Sequence, residues 1–398
     1  MADADDNSSG AQRSPATLVV HLGRDPKRFD GFVNTPVVRG STVLSPTYDD
    51  LIHHRGRYSY GRRGNPTTEG LETALKALEG GDGVALTPSG LSAVSISLLA
   101  VLGAGDHLLM VDTAYRPTRT VCDTVLKRMG VETTYYDPLI GAGIEQLLRD
   151  NTRAIFLEAP GSQSFEMQDV PAITAVARPR GITTLIDNTW ATPLYFKPHA
   201  MGVDISIQAG TKYIGGHADL NLGTISAVGP AWKKVITTHG NLGITISPDD
   251  AALGARGLRT LAVRLAQHQR SGLELANWLR DRPEVSRVLH PALPSDPGHA
   301  IWSRDFTGAS GLFSLILNPV PAAAVAAFFD ALTLFGMGYS WGGYESLAIP
   351  FDCTDYRTAT EWDVEGPAVR LHIGLEDVAD LKADLDQAFA RLRAVAQG

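Results

Sequence analysis

The sequence predicts an α/β protein: a mostly parallel sheet with helices on both faces, followed by a smaller α+β domain. Three observations carry this. Between Asn65 and about Val228, short apolar runs without clean alternation recur between helical segments, as expected of strands buried on both faces. After Ser247 the texture changes to long helical stripes with fewer strands. The length, 398 residues, asks for two or three domains at roughly 150 residues each.

The elements follow in order. MADADDNSSGAQRSP is acidic, polar and small, with neither a basic nor an apolar signal region, so residues 1–16 read as a loose tail. Residues 17–63 are rich in Pro, Gly, Ser, Thr, Tyr and Arg and lack periodicity. Such a segment has no core of its own and needs another surface to lie on. TTEGLETALKALEGG is a helix ended by paired glycines. GVALTP is a strand that leads through Ser89 and Gly90 into the helix LSAVSISLLAVLGAG. HLLMVDTAY is a strand that ends at Tyr115, TRTVCDTVLKRMG a helix and VETTYYD a strand. RAIFLEAP, TTLIDNTW, ISIQAGTKY and LGTISAVG are further strands, with the helix VPAITAVARPRG after the first. Residues 64–247 thus form the α/β domain.

Residues 248–398 form the α+β domain. A long helical region carries Leu258, Leu261 and Leu265, then Leu275 and Leu279, at helical spacing. Strands at SRVLHP, GLFSLILN and AVRLHIGLE accompany a helix at AAAVAAFFDALTLFG. The last helix puts Val378, Leu381, Leu385, Phe389 and Leu392 on one stripe.

Charge and cysteine content exclude several functions. With 35 basic and 43 acidic residues the net charge is −8, which speaks against a nucleic-acid partner while leaving room for a local cationic pocket. Cys122 and Cys353 make neither a disulfide framework nor a metal-ligand pattern, so no metal is expected and a cytoplasmic setting is the simplest. No stretch approaches the roughly 18 apolar residues of a membrane span.

The richest chemistry lies between Thr183 and Tyr213. Asp187 stands at the carboxyl end of an apolar strand, and Lys212 follows 25 residues later, just past another. Alone, each has a plain reading: a turn or cap carboxylate, and a surface lysine. Together they fit pyridoxal phosphate, which a lysine holds through an imine while an acid pairs with its ring nitrogen. Ser89-Gly90-Leu91 sits where a strand enters a helix, so its first N–H groups suit a phosphate, or simply an ordinary cap. Thr211 offers a hydroxyl to the same anion, or reflects strand propensity. Tyr115 at the same rim suits ring stacking, or a core or interface position. Arg370, on an apolar strand, needs a partner; a substrate carboxylate or a structural acid would serve. YSWGGYES, with paired glycines, suits close backbone approach to a ligand, or a tight turn.

The strings YGRRGNPTTEGLE, TPSGLSAV, GDHLLMVDTAY, IDNTWATPLYFKPHAMGVDISIQAGTKY, GLRTLAVRL, YSWGGYESL and VRLHIGLED resemble the Cys/Met-metabolism family of pyridoxal-phosphate enzymes. The likeness runs from about residue 18 to the end and is nearest to its bacterial cystathionine β-lyase branch. It implies the aspartate-aminotransferase-like fold (type I) with a seven-stranded sheet. It implies that Lys212 is the imine-forming lysine and proton shuttle, that Asp187 pairs with the pyridinium, and that Tyr115 stacks on the ring and takes part at the leaving group. Gly90, Leu91 and Thr211 would hold the phosphate. Tyr60 and Arg62 match residues that reach it from the neighbouring subunit, which makes 17–63 a subunit-contacting extension and a homotetramer the expected assembly. Ser340 and Arg370 would orient the substrate carboxylate, with Trp341 lining the pocket.

The implied activity is α,β-elimination of cystathionine to homocysteine, pyruvate and ammonia, with action on cysteine or S-substituted cysteines beside it and a place in methionine biosynthesis. A γ-synthase or γ-lyase, or a cysteine-S-conjugate lyase or desulfhydrase, is the alternative enzyme; a non-catalytic regulator is the alternative of another class. Two departures bear on the distal pocket. Gly240 stands where the β-lyase branch has a tyrosine, which predicts a wider wall, and GNPTTEG is closer to the γ-acting branch.

Overall fold

Local chemistry sets the first helix. Asn65 Oδ1 accepts from Thr67 N and Thr68 N at 2.9 and 3.1 Å, and Thr68 Oγ1 accepts in return from Asn65 N at 3.1 Å. This reciprocal cap starts helix Pro66–Glu79, and Gly80 at φ +77° ends it in the left-handed region. The computed structural model describes residues 13–397.

Seven strands make the large sheet: β1 (Gly83–Thr87), β2 (His107–Val111), β3 (Glu132–Tyr136), β4 (Thr152–Glu158), β5 (Thr183–Asp187), β6 (Ile205–Ala209) and β7 (Gly223–Ala227). Their order is β1-β7-β6-β5-β4-β2-β3. The neighbours from β6 to β3 run parallel, while β7 is antiparallel to both β6 and β1. Every residue of β1, β2 and β7 is buried, which is why these segments read as unbroken apolar runs. Because β7 opposes both neighbours, β1 points the same way as β6. The carboxyl ends of β1, β2, β4, β5 and β6 therefore share one rim, where ligands of open α/β sheets bind.

Four antiparallel strands form the second sheet: β8 (Val285–Leu289), β9 (Leu312–Leu317), β10 (Leu347–Phe351) and β11 (Ala368–His372), in the order β10-β11-β9-β8. Phe313, Phe328, Leu371, Leu385 and Phe389 fill its core against the helices Ala322–Ala331 and Val378–Ala396. Polar bonds tie the sheets together. Trp190 Nε1 donates to Leu312 O at 2.9 Å, and Gly311 N donates to Tyr213 Oη at 3.1 Å. Fully buried Asp112, just past β2, accepts from Arg119 Nη1 at 2.9 Å and from the N–H groups of Thr358 and Thr360, each at 3.0 Å. That bond set straps the 352–363 segment to the large sheet.

The structure departs from the sequence reading in places. Helix Pro15–His21 begins inside the expected tail, of which residues 1–12 lie outside the described residues. Strand β2 ends at Val111, and a turn closed by Ala114 N to Val111 O carries Tyr115 beyond it. The long helical region divides at Thr260 into Pro248–Arg259 and Leu261–Arg280. Helix Ala322–Ala331 stops short of Gly336 because Asp384 takes the N–H groups of Thr333, Leu334 and Phe335. Strand β10 has no counterpart among the expected strands; Pro350 interrupts its pattern, as an edge strand allows. Residues 17–63 take short helical turns and extended stretches that leave Phe32, Val33, Leu44, Tyr48 and Leu51 exposed.

Candidate active site

The shared rim opens into a cavity of about 500 Å3 between the two sheets. Among the residues singled out from the sequence, Gly90, Leu91, Tyr115, Asp187, Thr211, Lys212, Ser340, Trp341 and Arg370 all line it. Tyr60 and Arg62 do not. Tyr60 is exposed, and Arg62 Nη1 donates to Gly240 O at 3.0 Å, away from the cavity of its own chain.

Lys212 follows β6 in a turn in which Lys212 N donates to Ala209 O at 3.0 Å. Its Nζ donates to Ser340 Oγ at 2.7 Å and lies 5.6 Å from the Trp341 ring centroid. Burial, then the Arg370 guanidinium, push the amine down to about 8, against the pull of Asp187. Near neutrality it is therefore uncharged far more often than an ordinary lysine, in the form that attacks an aldehyde or accepts a proton.

Asp187 ends β5. Thr189 N and Thr189 Oγ1 both donate to its Oδ1, while its Oδ2 takes no hydrogen bond among the described residues. Thr189 Oγ1 also accepts from Ala209 N at 2.8 Å, tying the carboxylate to the strand that carries Lys212. Burial raises its pKa despite the Thr189 bonds and Lys212. A protonated ring nitrogen at Oδ2 would relieve that cost. Glu158, at the end of β4, pairs in register with Asp187, and its Oε2 accepts from Tyr115 N at 2.8 Å. Burial first, then Asp187, push Glu158 well above its ordinary value, which favours its neutral form, against the Tyr115 amide. It fixes the backbone from which the Tyr115 ring projects over the cavity.

The anion seat is the N-terminus of helix Gly90–Val101. Ser89 Oγ accepts from Ser92 N at 3.1 Å, which leaves the Gly90 and Leu91 amides, the first of the helix, for a ligand. Glycine is needed here for closeness: a Cβ on Gly90 would stand 2.5 Å from the Cβ of Ala209. Thr211 Oγ1 is already engaged, accepting from Leu222 N at 2.9 Å and lying 3.2 Å from Leu222 O. Any bond to an anion would replace that last contact.

Arg370, on β11, makes no ion pair among the described residues, and its Nη2 donates only to Ser340 O at 3.2 Å. Burial pushes its pKa down to about 10, and it stays charged. An uncompensated guanidinium facing a cavity is a seat for a carboxylate. The residues thus fit pyridoxal phosphate: an open acceptor for the ring nitrogen, an amine of lowered pKa for the aldehyde, and orphan amides for the phosphate.

Sequence reasoning did not single out Glu158, Thr189, Tyr356 or His372. Glu158 carried a signal, a carboxylate at a strand end like that of Asp187. Gly240 does not line the cavity. It lies in helix Gly229–Asn241, and a Cβ there would come 2.6 Å from Arg63 Nη1, so its small size makes room for an arginine.

Comparison with known proteins agrees with this geometry. Residues 16–390 match the family described as Cys/Met metabolism PLP-dependent enzyme. The chain is 46% identical over 388 residues to a cystathionine β-lyase of Salmonella typhimurium, covering 94% of this chain and 98% of that protein. It is 45% identical over 394 residues to a cystathionine β-lyase of Escherichia coli, covering 96% and 100%. A solved cystathionine γ-synthase of Xanthomonas oryzae pv. oryzae superposes with a TM-score of 0.89 at 31% identity, over 96% of this chain and 100% of that one.

Proposed function

The chain belongs to the Cys/Met-metabolism family of pyridoxal-phosphate-dependent enzymes, and from that premise we propose how its residues carry out carbon–sulfur bond cleavage. It is a pyridoxal-phosphate-dependent lyase of the cystathionine β-lyase type, converting cystathionine and water to homocysteine, pyruvate and ammonia. The observation that carries the reading is the convergence of Lys212, Asp187 and Arg370 on one cavity.

When bound, the cofactor acts as an electron sink that makes the α-carbon of an amino acid acidic. Asp187 Oδ2 would accept from the ring nitrogen and keep it protonated. The Gly90 and Leu91 amides would hold the phosphate, and Tyr115 would lie against the ring. Arg370 takes the substrate α-carboxylate, with Ser340 and Trp341 closing the pocket around it. Lys212 Nζ would remove the substrate's α-proton and deliver a proton to the departing sulfur. One base serves both ends of the reaction, so no separate acid is required.

Cysteine and S-substituted cysteines present the same α-carbon and β-sulfur, so the same residues act on them. Tyr60 and Arg62 serve the cofactor of a neighbouring subunit, with 17–63 as the contacting extension, 64–247 as the cofactor domain and 248–398 as the closing domain. Exposed Phe32, Val33, Leu44 and Leu51 support that arrangement, since a solitary subunit would leave them in water. The assembly is a dimer of such dimers. No helix among the described residues is long and apolar enough to cross a membrane, and a cytoplasmic role in methionine biosynthesis suits the thiol product.

Product identification tests the reading. Purified holoenzyme given cystathionine should release pyruvate and homocysteine; α-ketobutyrate with cysteine would overturn the β-position. Lys212→Ala should abolish the visible absorbance of the holoenzyme, and reduction with borohydride should attach the cofactor to Lys212 in the wild type.

A further inference from the structure

Strand β11 grips the turn that roofs the amine at two points. Arg370 and His372, two residues apart, project from one face of the strand. Arg370 Nη2 donates to Ser340 O at 3.2 Å, and Gly342 N donates to His372 Nε2 at 3.1 Å. Between these anchors the backbone is strained. Ser340 is held at φ +116°, costly for a residue with a side chain, and Gly342 at φ +83°. Gly342 is pressed so close that a Cβ on it would stand 2.9 Å from Lys212 C and Tyr213 N. The product of this strain is the position of Ser340 Oγ, 2.7 Å from Lys212 Nζ.

His372 is fully buried behind the turn, with ring centroids of His268 and Tyr213 at 5.3 and 6.2 Å. Its Nε2 is also 3.1 Å from Gly343 O. His268 Nδ1 lies 2.8 Å from Ile373 O, which places the His268 proton there and leaves its Nε2 a bare acceptor. His268 Nε2 and His372 Nδ1 both lack a partner among the described residues. Either tautomer therefore ties His372 Nε2 to the turn: bare, it accepts from Gly342 N, and protonated, it donates to Gly343 O. Burial, with His268 next, pushes His372 down to about 3, so the ring stays neutral throughout the working range.

We propose that His372 is a positioning residue: its Nε2 locks the Ser340–Gly343 turn in its strained form and, through Ser340 Oγ, sets where Lys212 Nζ stands. This rests on Lys212 being the reactive amine, and the test separates the two. The variants are His372→Asn, whose amide falls short of the Nε2 position, His372→Gln, whose amide reaches it, Ser340→Ala, and the double variant of the first and third. Measured on each are melting temperature, kcat and KM separately, and the pH midpoint at which apoenzyme captures pyridoxal phosphate, read by absorbance. Asp187 and Arg370 also face Lys212 and are unchanged throughout.

His372→Asn should lower kcat by about ten- to a hundredfold, the scale of an ångström-sized misplacement, and move the capture midpoint as Ser340→Ala does. His372→Gln should restore most of both. The double variant should be no worse than Ser340→Ala, because one acts through the other. Losses that multiply, a His372→Asn enzyme with wild-type kcat and midpoint, or equal loss in Gln and Asn overturn the proposal. Should His372→Asn not fold, His372→Gln decides: a folded Gln enzyme as impaired as Ser340→Ala overturns it, and one near wild type supports it. Capture that persists in Lys212→Ala sinks the site reading instead.

Discussion

Lys212 works because its surroundings, and not its own chemistry, decide its charge. An ordinary lysine amine is almost wholly charged below pH 9. Burial and Arg370 bring this one down to about 8, so the uncharged form grows as pH rises through that value. Capture of pyridoxal phosphate by apoenzyme should accelerate through about pH 8 and level off above it. A midpoint near 10 would show that the amine is not buried as described. Arg370 has the complementary task. Arg370→Gln removes a charged hydrogen-bonding partner worth about 1.5–3 kcal/mol, so KM should rise by roughly ten- to a hundredfold while the absorbance of the holoenzyme is kept. Arg370 was legible by itself, as a charge in an apolar strand, whereas Lys212 was legible only beside Asp187, since alone it reads as a surface lysine. Glu158 and Thr189 were not legible as partners, because the contacts that define them, to Tyr115 and Ala209, cross 43 and 20 residues of chain.

At the scale of elements, strands buried on both faces announced themselves through apolar runs, and helices through caps such as Asn65 and Gly80. What stayed hidden depends on tertiary contacts. Strand β10 is short and carries a proline, and the helix ending at Ala331 is cut by Asp384, distant in sequence. The strap on Asp112 is of the same kind. Burial alone would raise its pKa, but the Thr358 amide, the Thr360 hydroxyl and their neighbours bring it below the ordinary value. A depressed carboxylate contributes stability above its unfolded pKa and loses it as pH falls through the folded one. Acid should therefore loosen the 352–363 segment, and with it Tyr356 on the cavity wall. Asp112→Ala, which leaves Arg119 without its buried counter-charge while Arg357 keeps Glu166, should cost about 3–5 kcal/mol. Chemical denaturation would measure it; a loss below 1 kcal/mol would show that the strap is replaceable.

For the whole molecule, the question is whether one subunit is a complete enzyme. Its cavity contains the amine, the acid and the helix end, yet Arg62 and Tyr60 point elsewhere, beside Gly240 and into solvent. Arg62→Ala should weaken cofactor binding about tenfold or more while leaving the subunit folded, by circular dichroism and equilibrium dialysis. A monomer in sedimentation that binds the cofactor at wild-type affinity would refute the shared site. Residues 17–63 were recognisable as a segment without a core of its own, but no sequence pattern names the surface that receives it.

The reversal of β7 has a consequence for how such a protein can grow. Two changes of direction, β6 to β7 and β7 to β1, cancel, which keeps the anion seat and the reactive amine on one side of the molecule. One extra antiparallel strand inserted at that margin would carry the phosphate cradle to the far side, whereas strands appended outside β3 would disturb nothing. What parity forbids is an insertion between β6 and β1, since a strand appended outside either edge reverses nothing.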